Sequence, residues 1–414
     1  MKSEKLFRES LNIFPGGVNS PVRYYKPYPI FIKKGKGSRI YDVDDKSYID
    51  YCLAYGPLIL GHSDKDIKKE IKKQLENGWI YGAPTELEII YGNMLKGATG
   101  MEMMRFTSSG TEATMHAIRL ARAYTKRNKI LKLYGGFHGS HDSVLISPGS
   151  GAIGIPSSPG IPKEVAENTL VANYNDIKGI KEVFSKEGKN IAAVIVEPVL
   201  GNVGVIIPEK NFLNELKNIT EKYKSLLIFD EVITGFRFHY GTASKYFDIS
   251  PDITILGKIV GGGLPLAVFG GKEEIMKNIA PSGKVYQAGT YSGNPLSIAA
   301  GIATLKKLKN LDYKELEKKL NILIKYIGDA SHDKKIKISF NGIVSMFQIF
   351  FTTNKVKDYP SALTSDANKY YQFFQKLLKK GIYIPPSQYE TLFLSFSHTN
   401  KEIEYTGQVI YETL

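Results

Sequence analysis

Between about residues 64 and 300 the chain alternates two patterns. Short apolar runs, NKILKLY (128–134), IAAVIVEP (191–198), SLLIFDE (225–231) and DITILGK (252–258), are hydrophobic at consecutive positions, as strands buried on both faces are. Helical stretches such as 111–125 and 208–224 separate some of them; apolar positions 113, 117, 120, 121 and 124 fall on one helical face. The alternation predicts an α/β fold, a mainly parallel sheet covered by helices. The flanks read differently. YPIFIKKGKGSRIYDVDDKSYIDYCL (28–53) predicts three short strands of a small antiparallel sheet, turning at KGKG and DDK. Residues 297–329 read as helical, and beyond about 330 short strands (IVSMFQIFF, ETLFLSFS) flank the helical DANKYYQFFQKLLKKG. We therefore expect residues 61–305 to form a large domain, with 1–60 and 306–414 building a smaller α+β domain together. The Gly-, Pro- and Ser-rich stretch 147–167 reads as a long mobile loop of the kind that serves as a lid.

Composition narrows the class. With 414 residues, 43% hydrophobic and 23% charged, the chain has the make-up of a globular protein with a large core. No apolar run approaches the roughly 20 residues that cross a bilayer. The charged start MKSEKLFRES lacks a signal-peptide core, so a cytoplasmic protein without membrane association is expected. Cys52 is the only cysteine, and His138 and His141 have no third ligand at a metal spacing, so no disulfide and no metal are expected. The net charge of +14 comes largely from lysines mixed with glutamates in helical stretches such as KDIKKEIKKQLENG. Such runs are solvated faces, and nucleic-acid binding, the contrasting hypothesis, is not expected.

The chemistry gathers at strand ends. IAAVIV stops at Glu197, LLIF at Asp230-Glu231 and ITIL at Gly257-Lys258. In sheets of this type ligands sit beyond the carboxyl ends of the strands, so carboxylates and one amine share an edge. Ser109, Gly110 and Thr111 open a helix whose first amides favour a phosphate. Neither a GxxxxGK[ST] loop nor a GxGxxG fingerprint after a strand is present. A phosphate cradle, an acid for a ring nitrogen and an amine for an aldehyde together match the needs of pyridoxal 5'-phosphate.

The chain resembles the class-III aminotransferases of fold type I and, within them, the glutamate-1-semialdehyde 2,1-aminomutase family. The resemblance runs through FPGGVNSPVR (14–23), GPLILGH (56–62), SSGTEATMHAIRLARA (108–123), GSGAIGIPSSPGIP (149–162), FDEVITGFR (229–237), LGKIVGGGLP (256–265), YQAGTYSGNPL (286–296) and PPSQYE (385–390). It implies the pyridoxal-phosphate transferase fold and conversion of (S)-glutamate-1-semialdehyde to 5-aminolevulinate through 4,5-diaminovalerate, with the cofactor passing through its pyridoxamine 5'-phosphate form. The alternative is an ω- or β-amino-acid transaminase with separate donor and acceptor. Carried over by position, Lys258 joins the cofactor aldehyde and shuttles protons, Asp230 faces the ring nitrogen and Val232 packs under the ring. Ser109, Gly110 and Thr111 hold phosphate, Phe137 stacks with His138 beside it, and Asn202 lies near the cofactor. Ser20 and Arg23 hold the substrate carboxylate, with Tyr55, Glu390 and the lid residue Ser150 nearby. Thr290 completes the phosphate site of a neighbouring subunit, which implies a homodimer. Three positions depart from the family pattern: Phe137 stands where tyrosine is usual, HGSHD replaces HGHAD so that His141 is displaced, and Tyr55 replaces a tryptophan.

Overall fold

The structure is a computed structural model that describes residues 1–149, 152–156 and 158–414. Seven strands form the central sheet: β1 (Met103–Thr107), β2 (Lys129–Leu133), β3 (Thr169–Ala172), β4 (Ile191–Val196), β5 (Leu226–Glu231), β6 (Ile253–Leu256) and β7 (Ala267–Gly271). Their spatial order is β1-β7-β6-β5-β4-β2-β3, and only β7 runs antiparallel to its neighbours. All four apolar runs read from the sequence are strands of this sheet.

Strand alternation divides the core. Ala193, Ile195, Ile228, Ile253 and Ile255 pack with Ala113, Ala117 and Ala121 of helix α1 (Gly110–Thr125). Val194, Val196, Leu227 and Phe229 turn the other way, toward the helices Ile177–Glu187 and Phe212–Tyr223. Every residue of β4 is fully buried, which is why these strands show no polar alternation; each large aliphatic side chain contributes roughly 1.5–3 kcal/mol when fully buried. The alanines of α1 let its axis lie close to the sheet, and Ser109 Oγ accepts from the Glu112 amide at 3.2 Å as its N-cap.

Three readings are corrected in detail. The N-terminal strands Ile32–Lys36, Arg39–Asp42 and Ser47–Asp50 form as expected, but the sheet has a fourth strand, Ile382–Tyr383, which pairs parallel to the third. A two-residue strand has too little pattern to be seen in sequence. The stretch 297–329 is two helices, α2 (Pro295–Leu308) and α3 (Lys314–Asp333). The described part of 147–167 holds an antiparallel strand pair, Ile146–Gly149 with Ala152–Pro156, and a short helix, Lys163–Ala166, where a plain loop was expected. Ser150 lies outside the described residues. Among the described residues no helix is long and apolar enough to cross a membrane.

Candidate active site at the carboxyl edge of the sheet

Register brings the strand ends together. Asp230 lies beside Ile255, Phe229 beside Val196, and Ile195 beside Lys132. Glu197, Asp230 and Lys258 therefore emerge at one edge, and all three line a cavity of about 840 Å³. The two adjacent acids on β5 part company there. Asp230 shares the face of Ile228, the side of α1, while Glu231 points to the opposite side. Glu231 caps a short helix by accepting from the Ala243 and Ser244 amides, the latter at 3.0 Å. Burial pushes its carboxyl up to about 7, against the pull of those amides. Its part is structural.

Asp230 is held firmly. Its Oδ2 is 2.8 Å from His138 Nδ1, and its Oδ1 accepts from the Val232 amide at 3.1 Å. A carboxylate only accepts, so His138 carries its proton on Nδ1; Nε2 of the same buried ring has no partner among the described residues. Glu197 is bonded all round: it accepts from the Phe137 amide (3.0 Å), the Gly201 amide (3.0 Å) and Asn202 Nδ2 (3.1 Å to either oxygen). Burial, then the Asp230 charge, raises its carboxyl above the ordinary range. Glu197 thus ties the loop after β2 to the loop after β4.

Lys258 leaves β6 in the left-handed region, with φ 50°, a costly conformation for a side chain with a Cβ. Two further left-handed residues, Gly262 (φ +59°) and Gly263 (φ +96°), turn the chain under α2. A Cβ on Gly262 would lie 2.8 Å from the Ala300 carbonyl oxygen, so the triple glycine permits that close approach. Lys258 is partly exposed to the cavity it lines. Burial first, then the charge of Arg237, lowers its amine to about 8, opposed by Glu197, Glu390 and Asp230. A fraction of the amine is therefore uncharged at neutral pH.

These residues fit pyridoxal phosphate. The first amides of α1 have no acceptor within the helix and open on the cavity at Ser109, Gly110 and Thr111. Val232 sits between two glycines: Cβ atoms on Gly110 and Gly257 would each come within 3.1 Å of its methyl groups. A side chain at either position would press on Val232, and glycine at both spares it that crowding. Phe137 lines the cavity yet is 52% exposed, an open aromatic face suited to stacking.

Ser20, Tyr55, Asn202 and Glu390 also line the cavity. Tyr55 donates to the Val22 carbonyl at 2.7 Å and so brings the N-terminal segment to the site. Burial, then the Lys258 charge acting downward, sets the Glu390 carboxyl above its usual value. Arg23 does not line the cavity; it is exposed, next to Tyr55. Thr290 is exposed and away from this chain's cavity. His141 has its ring lowered to about 4 by burial and neighbouring cations, and lies 3.3 Å from Thr114 Oγ1. Sequence reasoning missed Lys132, Tyr359 and Tyr389 in the lining. Lys132 had a signal, a lysine inside the apolar run NKILKLY; it donates to the Val144 carbonyl at 2.8 Å, at the root of the 146–156 hairpin. The two tyrosines had none.

The aminotransferase class-III family model matches residues 21–404. A glutamate-1-semialdehyde 2,1-aminomutase of Thermoplasma volcanium is 54% identical over 409 residues, covering 98% of this chain and 97% of the relative. One of Archaeoglobus fulgidus is 49% identical over 417 residues, covering 100% and 99%. Among solved structures, an omega-transaminase from Sphaerobacter thermophilus superposes with a TM-score of 0.95 at 31% identity, covering 100% of this chain and 97% of that one. Both the amine and the acid that share the cavity and the full-length similarity lead to one conclusion: the chain belongs to the class-III aminotransferases and, within them, to the glutamate-1-semialdehyde 2,1-aminomutase family.

Proposed function

We propose that the protein is an isomerase that converts (S)-glutamate-1-semialdehyde to 5-aminolevulinate by moving an amine within one carbon skeleton, with 4,5-diaminovalerate between. Its cofactor is pyridoxal 5'-phosphate, which alternates with the pyridoxamine form. When bound, the cofactor supplies an aldehyde that exchanges amines and a protonated ring that withdraws electrons from a carbon losing its proton.

The protein's share is position and proton traffic. Lys258, partly uncharged, takes a proton from one carbon and returns it to another. Asp230, oriented by His138 and the Val232 amide, keeps the proton on the ring nitrogen. Val232 and Phe137 hold the two ring faces, and the amides at Ser109–Thr111 bind the phosphate. Asn202, oriented by Glu197, would contact the bound cofactor from the cavity wall. Ser20 in the lining and Arg23 from its exposed place beside Tyr55 grip the substrate carboxylate, for which a guanidinium fork is suited, with Tyr55 and Glu390 at the substrate end. The segment 147–167 excludes water, so that the diamine stays in the site. Thr290 of the partner subunit completes the phosphate cradle of a homodimer in the cytoplasm.

The observation that carries this reading is the pairing of Lys258 with Asp230 at neighbouring strand ends, in one cavity reached by the N-terminal segment. The purified protein, given semialdehyde with neither amino donor nor keto acid, is expected to form aminolevulinate. A strict requirement for a second keto acid would favour the ω- or β-amino-acid transaminase instead.

A further inference from the structure

Arg237 is among the largest fully buried side chains of the described residues and has no carboxylate partner among them. Its Nε donates to the Ile233 carbonyl at 2.7 Å, its Nη2 donates to the Gly56 carbonyl, and its Nη1 is buried without a partner among the described residues. The Phe393 ring lies 4.5 Å from the guanidinium carbon. An unpaired buried guanidinium costs several kcal/mol, more than two backbone hydrogen bonds return.

Its surroundings indicate what the charge does. Leu53, Ala54, Tyr55 and Gly56 form a run of four left-handed residues, with φ of 45°, 56°, 64° and 119°. Such a run is strained and must be held from outside. Asp50 Oδ1 accepts from the Cys52 and Leu53 amides at its start, and Arg237 takes the carbonyl at its end. A Cβ placed on Gly56 would meet Arg237 Nη2 at 3.0 Å, Phe393 Cζ at 3.3 Å and Lys258 Cδ at 3.5 Å. The two cationic side chains thus flank one glycine, with the Phe393 ring beside it.

We propose that Arg237 is a positioning residue for Lys258: its fixed charge favours the uncharged, nucleophilic form of the neighbouring amine, while its Nη2 holds the strained turn that carries Tyr55 into the cavity. This rests on the function proposed above and goes beyond it by assigning control of the amine to a residue outside the cavity. The charged groups that face Lys258 are Arg237 on one side and Glu197, Glu390 and Asp230 on the other. Of the two cations, the lysine is the one whose proton can be removed, and burial and the Arg237 charge both act to lower its amine. Arginine's delocalised charge is the harder to remove.

The test follows the amine and not turnover. Full-length protein without cofactor is trace-labelled with acetic anhydride across pH 6–11, and acetylation of Lys258 is read by peptide mass spectrometry against exposed lysines. The wild-type midpoint is expected near about 8. Arg237→Met keeps an unbranched apolar stem but removes the charge, and should raise the midpoint by about one pH unit. An unchanged midpoint in folded Arg237→Met overturns the proposal, as does a wild-type midpoint at the ordinary lysine value, which needs no variant. Should Arg237→Met not fold, Arg237→Gln is read by the same criterion. No substrate is involved, so this result and that of the aminolevulinate assay fail independently.

Discussion

A lysine that must be uncharged to work is a burden on the empty fold. The Lys258 amine is lowered to about 8, from an ordinary 10.5. Between those values the unfolded chain binds more protons than the folded one, so stability rises with pH through that window and the penalty is complete below it. Lys258→Met removes the penalty at similar volume. Without cofactor this variant should be more stable than wild type at pH 7, on the order of 1–2 kcal/mol after allowing for the partial exposure of the amine. Urea midpoints at pH 7 and 10 measure it; part of the wild-type rise should persist in the variant, because Lys132 is also lowered to about 8 by burial. A variant no more stable than wild type at pH 7 would show that the amine is better solvated than its surroundings suggest. Other roles at this scale were only half legible. Period-two alternation puts Asp230 and Glu231 on opposite faces, but which face borders the cavity depends on where α1 packs. The bond from His138 to Asp230 joins residues 92 apart, and nothing local announces it.

At the scale of elements, the segment that carries Lys258 is braced by its neighbour α2. Gly301 on that helix faces the Val260 carbonyl: a Cβ there would be 2.4 Å from the oxygen and 2.7 Å from the Tyr91 hydroxyl. Tyr91 itself donates to the same carbonyl. Gly301→Ala should therefore cost roughly 1–3 kcal/mol by overpacking and weaken cofactor retention by displacing residues 258–261. Gly328 on α3 has nothing within 4 Å of such a Cβ, so Gly328→Ala should stabilise by up to about 1 kcal/mol through helix propensity alone. Thermal melts and the absorbance of bound cofactor separate the two; equal effects at both positions would refute the bracing of Lys258 by α2. In the central sheet the strands legible in the sequence were apolar runs such as β4 and β5, buried at every position. Strand β1 was not read, since it mixes Met103 and Arg105 with partly exposed positions, nor was β7, which ends in two glycines. Their hydrogen bonds come from partners far along the chain.

For the whole molecule, the open question is what covers residues 286–291. Tyr286 is 72% and Tyr291 61% exposed, flanking the exposed Thr290. Large exposed aromatics at a shared patch are characteristic of an interface. Sedimentation velocity should find a dimer, and Thr290→Val should weaken pyridoxal phosphate binding by roughly tenfold, the worth of one hydrogen bond to a charged group. A monomer with full affinity for the cofactor would remove Thr290 from the site. The surplus of lysine plays a smaller part at this scale. Pairs such as Lys217–Glu221 and Lys277–Glu273 are spaced one helical turn apart, each worth a few tenths of a kcal/mol at most.

By itself the sequence determined the α/β pattern, the strands that end in Glu197, Asp230 and Lys258, and the helix start that faces them. Each of these is a local property: an apolar run, a change of period, a cap. Tertiary structure alone decided which acid faces the amine, that Arg23 stays outside the cavity, and that an unpaired arginine sits beside Lys258. Those depend on the packing of distant segments, where direction and distance, rather than residue type, set the electrostatics.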